Sequence, residues 1–252
     1  MTDLHPVTGA YVVDALDRSE LADFEAHRLA QARLGAQTVR DLRAVWDVLD
    51  LTDLAGTTDT WLRSATGIVI GQSSASAELA ADYLTLFRSV EIGGRATIPP
   101  LELADPTAIA QSLTVTGPVS IKKAAAAGIR PSVAGPIAQN RSAAAGMRHA
   151  LNGGRRTIVD HVRSDPDARG WRRVTSGKAC DFCRMLADRG AVYGEGTSHF
   201  AAHDACSCSA EPSYDSSRRR AVSAWTGRRD ISAEQRRAEN ARTRAWIDRH
   251  MR

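Results

Sequence analysis

The four cysteines of this 252-residue chain all fall in one short stretch, as Cys180-x2-Cys183 followed by His203-x2-Cys206-x-Cys208. Zinc takes four thiolate or imidazole donors in a tetrahedron, and Cys-x2-Cys offers two thiolates from one tight turn. The second cluster follows after 19 intervening residues and brings a histidine with it. Cys180, Cys183, His203, Cys206 and Cys208 are therefore five candidates for four places, and His199 is a sixth. One set takes the first two cysteines, His203 and either Cys206 or Cys208, which spacing does not separate. The other is all cysteine and leaves His203 out. With enough protein donors to fill every position, a closed structural site is favoured over a catalytic one. The bland reading is four free thiols packed as small hydrophobes, but a Cys-x2-Cys paired with His-x2-Cys-x-Cys is far more specific than a lone Cys-x2-Cys.

Other reaction chemistries fail on particular residues. The chain has no His-Glu-x-x-His for a zinc protease. It also lacks the His-x-Glu and Pro-Cys-x-x-Cys of the zinc deaminases. Between Gly170 and Gly177-Lys178 the glycines stand six residues apart instead of four, and Ala179 replaces the Ser/Thr of a phosphate loop. A redox role for Cys180 and Cys183 would want a flanking βαβ pattern, which the sequence does not offer. His27, His149 and His161 stand alone. No nucleophile–base arrangement emerges, so no catalytic residue is assigned.

The elements that must carry the cluster are mostly helical. From Ser19, a plausible N-cap, apolar residues Leu21, Phe24, Leu29, Val39, Leu42, Trp46 and Leu49 recur at three-to-four spacing, with Gly35 as a point of interruption. After Gly56-Thr57-Thr58 a second helix, capped by Thr58 or Asp59, is expected to run to about Val90, making a long helical hairpin. Gly93-Gly94 through Pro99-Pro100 marks a boundary near 93–105. Helices are expected from Pro106 to Leu113, Pro118 to Ala127 and Pro131 to Ala150, then a short one from Arg155 to Arg163 after Asn152-Gly153-Gly154. The expected fold is thus mostly α over 1–165, followed by a small zinc-stapled α+β module at 166–215 and an Arg-rich helical tail at 216–252. In the module, Trp171–Val174 and Ala191–Tyr193 read as strands and Cys180–Asp188 as a turn entering a helical turn. A piece that small cannot bury enough surface alone and wants a staple.

Composition sets the outer limits. Hydrophobic residues make up 43% of the chain but aromatics only 5%, so the cores should be alanine-rich and helical. The start has no basic region leading into an apolar run, and no apolar stretch reaches bilayer length, so a soluble protein of a reducing compartment is expected. The net charge of +4 conceals a tail with eleven Arg against Asp230, Glu234, Glu239 and Asp248. Arg218, Arg219, Arg220, Arg228 and Arg229 are its candidate nucleic-acid contacts, since Arg neutralises phosphates. The competing reading is a solvated amphipathic helix with Ile231, Ala238, Ala245 and Trp246 on one face.

A longer pattern surrounds the cysteines: Gly170-Trp171-Arg172-Arg173-Val174, Cys180-Asp181-Phe182-Cys183-Arg184-Met185-Leu186-Ala187, Arg189-Gly190-Ala191-Val192-Tyr193, then His203-Asp204-x-Cys206-x-Cys208 and Pro212. Over about 166–214 it resembles the C-terminal module of the phage Mu F-like head morphogenesis family, in the form found in minor capsid proteins of actinobacterial tailed phages. Many members carry proline directly after the histidine, where this chain has Asp204. The resemblance implies a non-enzymatic structural protein of the virion head, built in the bacterial host cytoplasm. Its implied partners are portal, major capsid or scaffolding protein, with packaged double-stranded DNA as a further contact and neither membrane nor small-molecule substrate. A zinc-dependent nuclease or a nucleic-acid-binding protein is the alternative.

Overall fold

The computed structural model describes residues 24–215 except 95, 102–103, 176–178, 191–192 and 194–199, together with 232, 234, 238 and 241. The chain divides into two compact units, one holding the residues up to His161 with Phe200–Ser207, the other Val162–His199 with the residues from Cys208.

The first unit is helical. Helix α1 (Phe24–Ala44) runs unbroken through Gly35, and its sequence-expected start at Ser19 lies outside the described residues. Trp46–Val48 form a separate 3-10 turn rather than an extension of α1. Helix α2 (Leu54–Glu91) begins earlier than the Thr58 or Asp59 cap expected. Its N-cap is Asp53, whose carboxylate accepts the Gly56 N–H at 2.9 Å. Gly56 therefore sits inside the first turn rather than breaking it, and a Cβ there would meet the Asp53 carboxylate at 2.3 Å, which favours glycine at this position. Helices α3 (Pro106–Thr116) and α4 (Pro118–Ala126) each start on a proline, where the missing N–H has no intrahelical partner to lose.

Helix α5 (Pro131–Ser164) is the main departure from sequence expectation. Asn152-Gly153-Gly154 was expected to end one helix and begin another, yet the helix continues through it. The glycines serve close approach. A Cβ on Gly153 would lie 2.0 Å from the Ser73 carbonyl oxygen, and one on Gly154 would lie 2.7 Å from that of Ser76. At that crossing Gln31 Nε2 donates to the Ser76 carbonyl at 2.9 Å, Ser76 Oγ donates to Gln31 Oε1 at 2.7 Å, and Gly154 N–H donates to Ser76 Oγ at 3.0 Å. Buried polar groups satisfied this way fix one register among α1, α2 and α5. The apolar core is built on Leu42, Trp46, Trp61, Val69, Leu113 and Ile121, with the Trp46 and Trp61 rings edge to face at 5.4 Å. A second aromatic cluster stacks His27 on Tyr83 at 4.5 Å. Among the described residues no helix is long and apolar enough to cross a membrane.

The second unit holds an antiparallel pair, β1 (Gly170–Val174) and β2 (Ser209–Ser213), and the short helix α6 (Asp181–Ala187). Strand β1 matches the sequence expectation. Strand β2 does not: Ser209-Ala210-Glu211-Pro212-Ser213 lacks the β-branched and aromatic residues that mark strands in sequence. Register pairs Trp171 with Pro212 and Arg172 with Glu211. Of the other expected strand, the described residue Tyr193 makes a bridge to Trp171, its ring stacked on the indole at 4.5 Å. The expectation of a mostly α chain with a small sheet and a Cys/His cluster toward its C-terminal end holds.

Candidate metal centre

Each half of the cysteine pattern is positioned by a different local device. Cys180 is the N-cap of α6, in extended backbone, and Cys183 lies one turn into the helix. Leaving an extended residue for a helical turn brings both side chains to the same end, as a Cys-x2-Cys chelate needs. Arg184 and Asp181 pair across the exposed face of that turn. Cys180 is exposed and Cys183 buried. Cys208 stands immediately before β2, and the β1–β2 ladder fixes where that strand begins.

The loop Phe200–Ser207 is held on α5 by contacts that sequence reading missed. The Ala205 N–H donates to the Ala144 carbonyl at 3.2 Å. Arg148 Nε donates to the Asp204 carboxylate at 2.6 Å, and Arg155 donates to the Cys206 carbonyl at 2.5 Å. Arg155 is 2% exposed and its guanidinium lies 5.1 Å from the centre of the Phe200 ring. Ala205 takes a φ of +61°, a left-handed conformation that costs a non-glycine residue about 1 kcal/mol. The sequence offered one hint of this arrangement, the aspartate Asp204 directly after His203. Nothing in it pointed to Arg155, which read as a helix start.

His203 Nδ1–H donates to the Asp204 carbonyl at 2.8 Å. That fixes the tautomer and turns Nε2 into the nitrogen with the lone pair that a metal requires. Nearby His149 is held well below its ordinary value, at about 4, chiefly by burial and then by the Arg148 charge. It stays neutral at physiological pH and adds no charge beside the loop.

Two Cys/His groups have donor atoms close enough to hold a metal ion. Cys180, Cys183 and His203 form one, and Cys183, Cys206 and Cys208 form the other, with the donors of each group within 4.8 Å of one another. All five sequence-predicted donors are thus accounted for, and Cys183 belongs to both groups. His199 lies outside the described residues, as do Arg218, Arg219, Arg220, Arg228 and Arg229. The donor set, four thiols and one imidazole with three of the thiols buried, suits zinc or another thiophilic ion and does not suit magnesium or calcium, which want oxygen.

A family model described as VG15 protein matches residues 18–227. The chain belongs to the VG15 protein family. This is a family of phage and viral gene proteins, so VG15 membership points to a phage-encoded protein. No curated protein and no solved structure matches the VG15 chain.

Proposed function

We propose that this VG15-family chain is a structural minor capsid or head-morphogenesis protein of a tailed phage, without a catalytic step of its own. It would associate with portal, major capsid or scaffolding protein during head assembly in the host cytoplasm, and remain with the virion head. The observation that carries this reading is the family match across residues 18–227. It is supported by the Cys/His pattern and its flanking residues, which resemble the C-terminal module of Mu F-like head proteins. The Arg-rich segment after Ser216 would give the chain a contact with packaged double-stranded DNA through phosphate neutralisation.

The Cys/His donors would hold a structural zinc ion. When bound, zinc supplies coordination free energy to a segment too small to be held by burial alone. Cys183, common to both donor groups, belongs to any set of four. Cys180 would close the chelate from the α6 cap, and two of His203, Cys206 and Cys208 would fill the remaining positions. Asp204, through Arg148, and Arg155, through the Cys206 carbonyl, hold the loop that presents two of these donors.

Peptide mass spectrometry of purified virions tests the head assignment, with the chain expected as a low-copy component of DNA-filled heads. A phage lacking the gene should accumulate unfilled or aberrant heads. Normal yields of infectious particles without the chain would sink the proposal.

A further inference from the structure

The segment between Asp105 and Asp160 contains no Asp or Glu, while it carries Lys122, Lys123, Arg130, Arg141, Arg148, Arg155 and Arg156. Arg148 is engaged with Asp204, Arg155 with the Cys206 carbonyl, and Arg141 donates to Ser120 Oγ at 3.2 Å. Lys122 and Lys123 on α4, Arg130 before α5 and Arg141 on α5 are exposed. In the same stretch Ile129, Val133 and Ile137 recur at four-residue spacing and stand 45%, 49% and 49% exposed. Ala134 and Ala138, the neighbours of Val133 and Ile137, are buried at 4% and 0%. The first turns of α5 therefore put alanines in the core and present Val133 and Ile137 outward, the reverse of the usual pattern.

We infer that this face of α4 and the first turns of α5 is a docking surface for an acidic amphipathic helix of a partner protein. The two chemistries point to the same occupant. Val133 and Ile137, one turn apart on α5, with Ile129 just before the helix, match the apolar stripe of a helix laid alongside. The exposed basic residues of the same two helices, in a segment that holds no carboxylate, would select acids at the edges of that stripe. Duplex DNA would use the lysines and arginines but would gain nothing from Val133 and Ile137. The inference is independent of the head-assembly reading, since it rests on this surface alone.

The test uses the full chain and a fluorescein-labelled synthetic helix with Leu on one face and Glu on both flanks. A scrambled peptide of the same composition and a short DNA duplex serve as the other probes. The amphipathic helix should bind better than the scrambled peptide, and binding should weaken as salt rises. Val133→Ser with Ile137→Ser should reduce it at least about tenfold, as loss of a central apolar anchor does. Lys122→Glu with Lys123→Glu should reduce it by a similar factor. All four positions are exposed, so unchanged melting curves verify that the variants fold. Three results overturn the proposal: no binding of the amphipathic helix, binding no better than the scrambled peptide, or binding indifferent to both variant pairs. Duplex binding that falls with the lysine variants, without helix binding, would make the face a nucleic-acid surface instead and equally overturn it.

Discussion

The two units of this chain reach order by opposite means. The first buries long helices against one another, with tryptophans at the centre and glycines where α2 and α5 cross. The second offers a two-stranded sheet and one short helix, and its buried residues include Trp171, Cys183, Met185 and Cys208. Burial grows with size, so the second unit has less apolar area to hold itself than the first, and the proposed zinc would act there as an added staple. The contrast teaches that the thiols are best understood as part of a fold. Cys183, Cys206 and Cys208 are buried, while Cys180 is exposed.

That contrast can be broken most forcefully at Cys183. Cys183→Ser removes the donor shared by both groups, and the second unit should lose its ordered structure while the helices of the first remain. Limited proteolysis should cut within 162–199 in the variant and leave the region from α1 to α5 intact, because structural zinc supplies roughly 10 kcal/mol to such segments. Equal protection in both proteins would mean that the second unit holds itself.

The first unit should fail to packing instead. Gly153→Val places carbon against the Ser73 carbonyl oxygen, and the loss of stability should be about 3 kcal/mol or more. Thermal unfolding followed by far-ultraviolet circular dichroism reads this directly. A fall of less than a degree would show that α2 and α5 are not as close as described.

A third effect is a pH dependence confined to the first unit. Burial holds His27 at about 4, against an ordinary value of 6.5. The folded protein keeps the ring neutral while the unfolded chain protonates it, so stability should fall as pH drops from 6.5 to 4, by up to about 3 kcal/mol. Urea midpoints at pH 7 and pH 4.5 should differ less in His27→Phe than in the parent chain. An identical difference in both would remove His27 from the account.

The smallest effects sharpen the role of the loop on α5. Asp204→Ala breaks a part-exposed ion pair with Arg148 and should cost no more than about 1 kcal/mol of stability. It should nevertheless weaken zinc binding by about tenfold, as loss of a group that orients a ligand does. Competition with a chromophoric chelator measures that affinity. Unchanged affinity would leave the pair a purely structural contact.

The sequence carried the helices well where apolar spacing was regular, as in α1 and α2, and it marked α3 and α4 by their leading prolines. It misread Gly153-Gly154 because the same residue that ends helices also permits close helix crossing, and only the neighbour across the gap distinguishes the two. It missed β2 because Ser209–Ser213 is held by pairing with β1 and not by its own propensity. The five candidate donors were evident from residue type and spacing, and the structure brings them into two overlapping groups. Arg155 and Arg148 were not, since their partners lie 51 and 56 residues away and no local pattern records such a pairing.

Metal analysis of the full chain, purified without chelators and without added metal, is the direct test of the central claim. About one zinc per chain is expected, lost in Cys183→Ser and retained in Asp204→Ala. A folded second unit without zinc or any other thiophilic metal would contradict it.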